Sequence, residues 1–341
     1  MNYHHSGEER PYQLRQLFKI PTNSCRKKSA EVLELQDDVV KQISTLLTAL
    51  GGTSLSKGWN LIQRFSEDID VTVFRDDLGI PASVDELAAL SGKKRSAALD
   101  AIKEACEAYI NGPLAERLAT ICAEACARAG LGQDALTVKA DAHDRQALLL
   151  GYPSVTPTDA YIAKSVKIES GAKSALDPNS VRTITPYVDA DVPGIDLAVP
   201  GITVVDAERT FWDKVVILHG LRRWYDIRGL LRGNGQRISR HYYDLFRILQ
   251  SDSGKVATKD TALGADCVAH ARMFFNRPDF DLASAQSPTF ALCPDGAMVD
   301  DLRQDYRAMS VMIFGDPPEF DAVIEAIAAL EAKLNARGAQ P

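Results

Sequence analysis

A pair of glycines followed by two closely spaced acids constrains this chain more than any other stretch. Gly51 and Gly52 form a turn that opens a short helix, and Asp68 and Asp70 lie at the start of a strand predicted over about residues 69–74. Successive side chains along a strand point to opposite faces. Both carboxylates should therefore point one way, while Ile69 and its alternate neighbours point into the core.

Two carboxylates on one face repel each other unless a cation neutralises them. A divalent metal such as Mg²⁺ or Mn²⁺ is the usual cation, because hard cations prefer carboxylate oxygens. The glycines let the backbone turn sharply and approach a ligand closely. The start of a helix then offers N–H groups and a positive dipole end to a phosphate. The stretch therefore predicts chemistry at a nucleoside triphosphate.

The same residues match a known pattern. Gly-Gly-Thr-x-Leu-x-x-Gly over 51–58 and Arg-x-Ser-x-Asp-Ile-Asp over 64–70 resemble the AbiEii/AbiGii family of toxin nucleotidyltransferases, a branch of the DNA polymerase β-like superfamily. Separated motifs extend the resemblance over about 49–245. It implies an α+β fold in which a polymerase β-like mixed sheet with flanking helices is followed by a helical C-terminal region.

The resemblance also implies roles for residues of this first motif. Asp68 and Asp70 would hold the metal, and Ser66 would orient the metal or a phosphate rather than act as a nucleophile. The residues expected to hold the triphosphate are Gly51, Gly52, Thr53, Ser54 and Lys57. Lys57 or Lys214 would neutralise the charge that grows on the leaving group.

A third acid is expected on a later strand, predicted over 161–169. There Lys167 and Glu169 share one face, whereas Val166 and Ile168 take the other. In the superfamily a third acid completes the metal site, and Glu169 is the residue that matches. The alternative is that Glu169 forms an exposed salt bridge on an edge strand.

Two further motifs follow in the C-terminal half. A Glu-x-x-x-x-x-Lys element matches Glu208 and Lys214, and an Arg-x-x-x-Asp-Leu element matches Arg240 and Asp244. The resemblance implies catalytic roles for Lys214 and Asp244 and places Arg240 at the substrate. The alternative for Arg240 and Asp244, at i and i+4, is a surface helix pair worth a few tenths of a kcal/mol.

Length and composition indicate a soluble globular protein with two domains. The 341 residues can bury a large core, and a net charge of −7 argues against a surface coated with basic residues. Neither a membrane-spanning run nor a signal peptide is recognisable, so a cytoplasmic location is expected. Cys122 and Cys126 can touch a metal one helical turn apart, but buried helix residues are the stronger interpretation.

The pattern of apolar residues divides the chain into three parts. We expect an N-terminal tail (1–24), a nucleotidyltransferase core (25–202) and a helical C-terminal domain that completes the active site (203–341). Helices are predicted over 30–50 and 83–129, the second broken at Asn111-Gly112-Pro113, with strands over 136–140 and 147–152. A loop-rich passage over 177–201 should end the sheet, and a helix capped by Thr203 or Asp206 should follow.

Six arginines lie among glycines between the later motifs. They are Arg222, Arg223, Arg228, Arg232, Arg237 and Arg240. Arginine forms bidentate contacts with phosphate, so this loop can bind RNA, with Trp224 and Tyr225 stacking on bases. The alternative is a solvated loop. Lys93-Lys94-Arg95 carries the same two interpretations, and for it the solvated helix end is the stronger one.

Together these features predict a metal-dependent nucleotidyltransferase that uses a nucleoside triphosphate. The resemblance implies a growth-inhibiting toxin whose acceptor is RNA, by analogy the 3′ end of tRNA, and a cognate antitoxin with a DNA-binding domain. One alternative is a nucleotide- or RNA-binding regulator without turnover. The other is a phosphotransferase acting on protein with the same phosphate-binding turn.

Overall fold

The computed structural model describes most of the chain. The described residues are 48–49, 51–65, 68–80, 82–153, 165–187, 189, 198–235 and 237–336. The predicted tail (1–24), most of the helix predicted over 30–50, and Ser66 lie outside them. In the described part of the chain, no helix is both long and apolar enough to cross a membrane.

A mixed sheet of seven strands forms the centre of the described part of the chain. In spatial order the strands run β3-β4-β5-β2-β1-β7-β6. Their bounds are β1 Thr48–Ala49, β2 Asp68–Thr72, β3 Thr137–Ala140, β4 Ala147–Gly151, β5 Ser165–Gly171, β6 Asn179–Ile184 and β7 Val199–Val205. This mixed sheet and its flanking helices confirm the predicted fold class.

The strand register brings the two acidic strands together. β2 and β5 are parallel neighbours, with Asp68 opposite Lys167 and Asp70 opposite Glu169. β4 pairs with the other side of β5, so Glu169 is in an interior strand and the edge-strand alternative is wrong in that respect. On the other side of β2 lies the short strand β1.

Strand β1 corrects the predicted end of the first helix. Thr48 and Ala49 pair antiparallel with Thr72 and Val71 of β2, and Ala49 also faces Val204 of β7. Periodicity alone favoured a helix up to residue 50, but the gap between two strands of the sheet is filled by these residues. Backbone N–H and C=O groups inside a sheet need partners, and that demand overrides a local helical preference.

Three helices cover the sheet face opposite the acids. They follow α1, the single turn Gly51–Thr53 at the glycine pair, and are α2 Val84–Ala88, α3 Gly92–Tyr109 and α4 Ala115–Arg128. Their core contains Val71 of β2 and Ile168 of β5, as strand alternation predicts. Ser83 and Glu86 form the expected capping box at the start of α2. Cys122 and Cys126 are buried in this core.

The predicted break between α3 and α4 is a widened helical turn. Residues Ile110–Leu114, which include Pro113, form a π-helical turn that joins the two helices without a loop. Proline has no N–H to donate to the preceding turn, and π-turns accommodate such local defects inside a continuous helix. The predicted break is therefore confirmed in position, and it takes the form of a π-helical turn between the two α-helices.

The passage over 177–201 contributes two strands rather than loops alone. β6 and β7 pair antiparallel, and the next helix begins at Ala207, so that of the two predicted caps Asp206 is at the N-cap and Thr203 lies within β7. Asp206 occupies the N-cap position, yet its carboxylate accepts a hydrogen bond from the Ser180 hydroxyl at 2.7 Å and forms no side-chain cap. Because this passage is rich in proline and glycine, its sequence pattern indicated loops and not this pair of strands.

The C-terminal half is helical, as predicted. Its helices are α5 Ala207–Arg228, α6 Ser239–Leu249, α7 Asp252–Ala257, α8 Thr261–Phe274, α9 Ala297–Ser310 and α10 Phe320–Ala336. Their core also takes in Leu55 and Ile62, which follow the glycine turn. The helical region therefore packs directly against the segment that leads into β2.

Candidate active site

The acids of β2 and β5 line a cleft between the sheet and the helical region. This cleft has a volume of about 440 Å³ and is lined by Asp68, Asp70 and Glu169 on one side. Because Asp70 and Glu169 are opposed in parallel neighbouring strands, their side chains emerge next to each other. The sequence could not show that the two strands are neighbours.

Asp70 lies among like charges at this end of the cleft. Burial raises the pKa of Asp70 to about 6, and the negative charges of Glu169 and Asp68 add to the effect, while Lys214 and Arg240 oppose it. Glu169 accepts a hydrogen bond from the Lys167 ammonium at 2.6 Å. Lys167 also lies 3.7 Å from Asp141 and from Asp144. A cation near Asp70 would relieve the repulsion among these carboxylates.

The chemistry of these donors fits a hard divalent cation. Carboxylate oxygens are the ligands that Mg²⁺ and Mn²⁺ select, and Asp68, Asp70 and Glu169 supply them on adjacent strands. Among the described residues, no three acidic, histidine or cysteine side chains already surround one point closely enough to ligate an ion. Glu169, now paired with Lys167, is the carboxylate that would have to turn towards the other two.

The glycine turn places one residue, Gly52, in the lining of the cleft. A Cβ atom on Gly52 would lie 2.7 Å from Nη2 of Arg64, so the missing side chain makes room for that guanidinium. The Thr53 hydroxyl donates to the Asp68 carbonyl oxygen at 3.4 Å and ties the turn to β2. Gly52 is thus needed for a close contact within the chain, between the glycine turn and the Arg64 guanidinium, that the sequence pattern did not indicate.

Of the other residues predicted for the triphosphate, Thr53, Ser54 and Lys57 do not line the cleft. Ser54 is fully buried. Lys57 lies over the ring of Tyr187, with Nζ 2.8 Å from the ring centroid, and burial lowers its pKa to about 7. Neither side chain contributes to the cleft lining, whereas Lys214 does. The two lysines that the sequence left as alternatives are thereby distinguished by position.

Asp244 is held between two cations in the interior. It is fully buried, its two carboxylate oxygens accept from Nε and Nη2 of Arg64 at 2.8 and 3.0 Å, and Lys214 donates to it at 2.9 Å. The surface-pair alternative for Arg240 and Asp244 is therefore wrong. Arg64 is part of the first motif, but its partner is 180 residues away, and no local signal reveals that pairing.

Burial and neighbouring charges shift the pKa of each titratable group in the buried cluster, and burial lowers the pKa of Lys214. Burial alone would raise the pKa of Asp244, but Lys214 and Arg64 hold it well below its ordinary value. Burial lowers the pKa of His241 strongly, and the charges of Lys214 and Arg240 lower it further. His241 is therefore neutral, and its Nδ1, 3.1 Å from the Lys214 ammonium, accepts a hydrogen bond. Lys214 is thus oriented by two acceptors.

The six arginines of the predicted RNA loop divide into two groups. Arg222, Arg223 and Arg228 belong to α5 and form ion pairs with Asp226, Asp295, Asp281 and Asp279. Arg232, Arg237 and Arg240 line the cleft.

The other predicted RNA contacts have local partners or lie in solvent. Trp224 packs edge-on against Phe280, and the Tyr225 hydroxyl donates to Asp301 at 2.8 Å, so both predicted stacking residues have partners within the protein. Lys93 and Lys94 are exposed at the start of α3 and do not line the cleft, which agrees with the solvated helix end.

Comparisons with known proteins identify the family of the chain. Residues 50–326 match the family model described as nucleotidyl transferase AbiEii toxin, type IV toxin–antitoxin system. A solved structure, the nucleotidyltransferase toxin MenT4 from Mycobacterium tuberculosis H37Rv, is similar over 98% of this chain and 100% of its own, at 16% identity and a TM-score of 0.40. No curated protein matches the sequence. The predicted resemblance is confirmed: the chain belongs to the AbiEii nucleotidyltransferase toxins of type IV toxin–antitoxin systems.

Proposed function

We propose that this nucleotidyltransferase toxin transfers a nucleoside monophosphate from a nucleoside triphosphate to the 3′ end of an RNA, with tRNA as the acceptor. Asp68, Asp70 and Glu169 would hold Mg²⁺ or Mn²⁺. The observation that carries the proposal is the pairing of Asp70 with Glu169 in neighbouring strands, in a cleft that is also lined by Lys214 and Arg240.

Acidic and basic side chains divide the work in this site. When bound, the metal would stabilise the attacking and leaving oxygens of an in-line displacement at the α-phosphate. Lys214 and Arg240 would bind the β- and γ-phosphates and offset the charge that develops on the pyrophosphate. Of the two candidate lysines we assign this role to Lys214, because it lines the cleft and Lys57 does not.

Asp244 acts through its neighbours. Both of its oxygens are occupied by Arg64 and Lys214 inside the protein, so substrate cannot reach them. We propose that it is a positioning residue that fixes the direction of the Lys214 ammonium. Ser66 remains the residue proposed to orient the metal or a phosphate, two positions before Asp68.

The proposal extends to the organisation and partners of the chain. The cleft lies between residues of the proposed core (25–202) and of the proposed helical domain (203–341), which supports a site completed by both. A cognate antitoxin with a DNA-binding domain is the proposed partner, and the cytoplasm is the proposed location.

Incubation with triphosphates labelled separately at the α and γ positions tests the function. With total RNA present, we expect α label to enter tRNA, and sequencing of RNA 3′ ends should reveal the added nucleotide. Asp68→Asn should remove this incorporation without lowering the melting temperature. Entry of γ label into protein would instead establish a phosphotransferase, and tight triphosphate binding without any incorporation would establish a regulator.

A further inference from the structure

The cleft has a second end with different chemistry. On α5, Lys214 is followed at helical spacing by Ile217 and Leu221, which line the cleft together with Phe275 and Phe280. Since a helix rises 1.5 Å per residue, Leu221 lies about 10 Å along the axis from Lys214. This apolar end is therefore continuous with the acidic end and one to two helical turns from it.

Two of its apolar side chains are open to solvent. Phe275 is 48% exposed and Ile217 is 37% exposed. Phe280 is held in place, because it packs directly on Gly220 of α5, where an added Cβ would come within 3.2 Å of its ring, and against Trp224. The cleft lining therefore contains one aromatic ring that is held in place, Phe280, and one that is exposed, Phe275.

Uncompensated positive charge accompanies these rings. The Arg232 guanidinium lies 5.3 Å from the centroid of the Phe280 ring, and burial together with the charge of Arg277 lowers its pKa. The acids on either side of Phe280 in the sequence pair with other arginines, Asp279 with Arg228 and Asp281 with Arg223. Arg232 forms no ion pair with any residue in the described part of the chain. In a chain with net charge −7, this is a local site for an anion.

Aromatic rings that alternate with arginines are typical of surfaces that bind single-stranded nucleic acid. The bases stack on the rings, and the arginines contact the phosphates between them. We propose that Phe275, Phe280, Ile217 and Arg232, here named the acceptor platform, bind the unpaired bases at the 3′ end of the RNA acceptor. This inference rests on the proposed function and places its acceptor at the end of the cleft opposite the triphosphate.

Direct binding tests the acceptor platform without turnover. The probe is a fluorescein-labelled RNA hairpin with a short single-stranded 3′ end, and fluorescence anisotropy is measured without triphosphate. Phe275→Ala and Arg232→Ala should each weaken binding by roughly five-fold or more, the low end for losing one stacked base. Matched controls are Val256→Ala and Arg117→Ala, exposed residues outside the cleft, which should bind as the wild type does. A blunt-ended hairpin should bind equally to all variants.

Steady-state kinetics separates the acceptor from the triphosphate. In Phe275→Ala the KM for RNA should rise and the KM for the triphosphate should not. A rise in the KM for the triphosphate alone would overturn the inference, because the rings would then hold the nucleotide base. Equal RNA binding by wild type and both variants would also overturn it. If the wild type transfers nothing, the proposed function fails, and the binding measurement still decides the inference on its own.

Discussion

The surroundings of single acidic residues at this site decide the direction in which their pKa values shift. Asp70 is raised in pKa by burial and by Glu169 and Asp68, whereas Asp244 is lowered by Lys214 and Arg64. The pKa values of the two aspartates are therefore shifted in opposite directions. Ionised Asp70 destabilises the folded chain, whereas ionised Asp244 stabilises it. This contrast agrees with the proposed roles, in which Asp70 binds the metal and Asp244 positions Lys214.

Asp70→Asn tests the first of these aspartates. We expect nucleotidyl transfer to fall by at least about 100-fold, the scale of losing one preorganised electrostatic contact. The melting temperature should stay the same or rise, because an ionised carboxylate with a raised pKa is removed. Activity and thermal unfolding are measured on the same preparation. A melting temperature that falls enough to explain the lost activity would contradict the assignment.

Asp244→Ala tests the second. Removing this carboxylate leaves Arg64 and Lys214 buried without their partner, which costs about 3–5 kcal/mol of unfolding free energy. Urea titration measures the loss. Asp252→Ala, at an exposed aspartate paired with Lys255, is the matched control and should leave the free energy of unfolding nearly unchanged. Equal losses in the two variants would show that the buried cluster is not special.

The pH dependence of that stability follows from the sign of the shift. The folded pKa of Asp244 lies below its ordinary value of 3.8, so its stabilisation is complete above that pH and is lost as the pH falls towards the folded pKa. The difference in unfolding free energy between wild type and Asp244→Asn should therefore be constant from neutral pH to about 5 and shrink below about 4. A difference that grows on acidification would contradict the cluster.

Lys214→Met and Lys57→Met distinguish the two lysines. The first should lower kcat by about 100-fold, because Lys214 lines the cleft together with Arg240. The second should change kcat far less, since Lys57 lies against Tyr187. Initial rates at saturating triphosphate give the comparison. A larger effect at Lys57 would show that Lys57, and not Lys214, neutralises the charge on the leaving group.

Elements meet at this site through close backbone approach. The glycine turn precedes β2 in sequence, yet its contact with the Arg64 guanidinium brings it against the buried cluster of α5 and α6. Gly52→Ala should force the guanidinium to move and cost about 1–3 kcal/mol. Gly112→Ala is the control, because an added Cβ there meets nothing within 4 Å, and it should be neutral or slightly stabilising. Urea titration measures both.

At the scale of the whole molecule, the cleft joins two hydrophobic cores. One core lies under α3 and α4, and the other contains the helices from α5 to α10. A ligand bound between them should stabilise the folded chain by mass action, by about 2.7 kcal/mol at a hundred-fold excess over its Kd. We expect Mg²⁺ with a non-hydrolysable triphosphate to raise the melting temperature, and chelation of the metal to remove most of the rise. Asp70→Asn should show little rise under either condition.

Local patterns in the sequence determined much of this protein. Strand alternation placed Asp68 and Asp70 on one face and Val71 in the core, and the motifs identified the family. The same alternation gave Glu169 the correct face of β5. The capping box at Ser83 and the helices of the C-terminal half were likewise readable, because the residues that define them are close in sequence.

Only the tertiary structure decided which of these elements touch. The register that sets Glu169 beside Asp70, the Arg64 partner of Asp244, the strands β6 and β7, and the division of the arginines all depend on residues far apart in the chain. Periodicity describes the face of one element and carries no information about its neighbour. Contacts across the cleft are fixed by packing of the whole chain, and for that reason they could not be derived from the sequence alone.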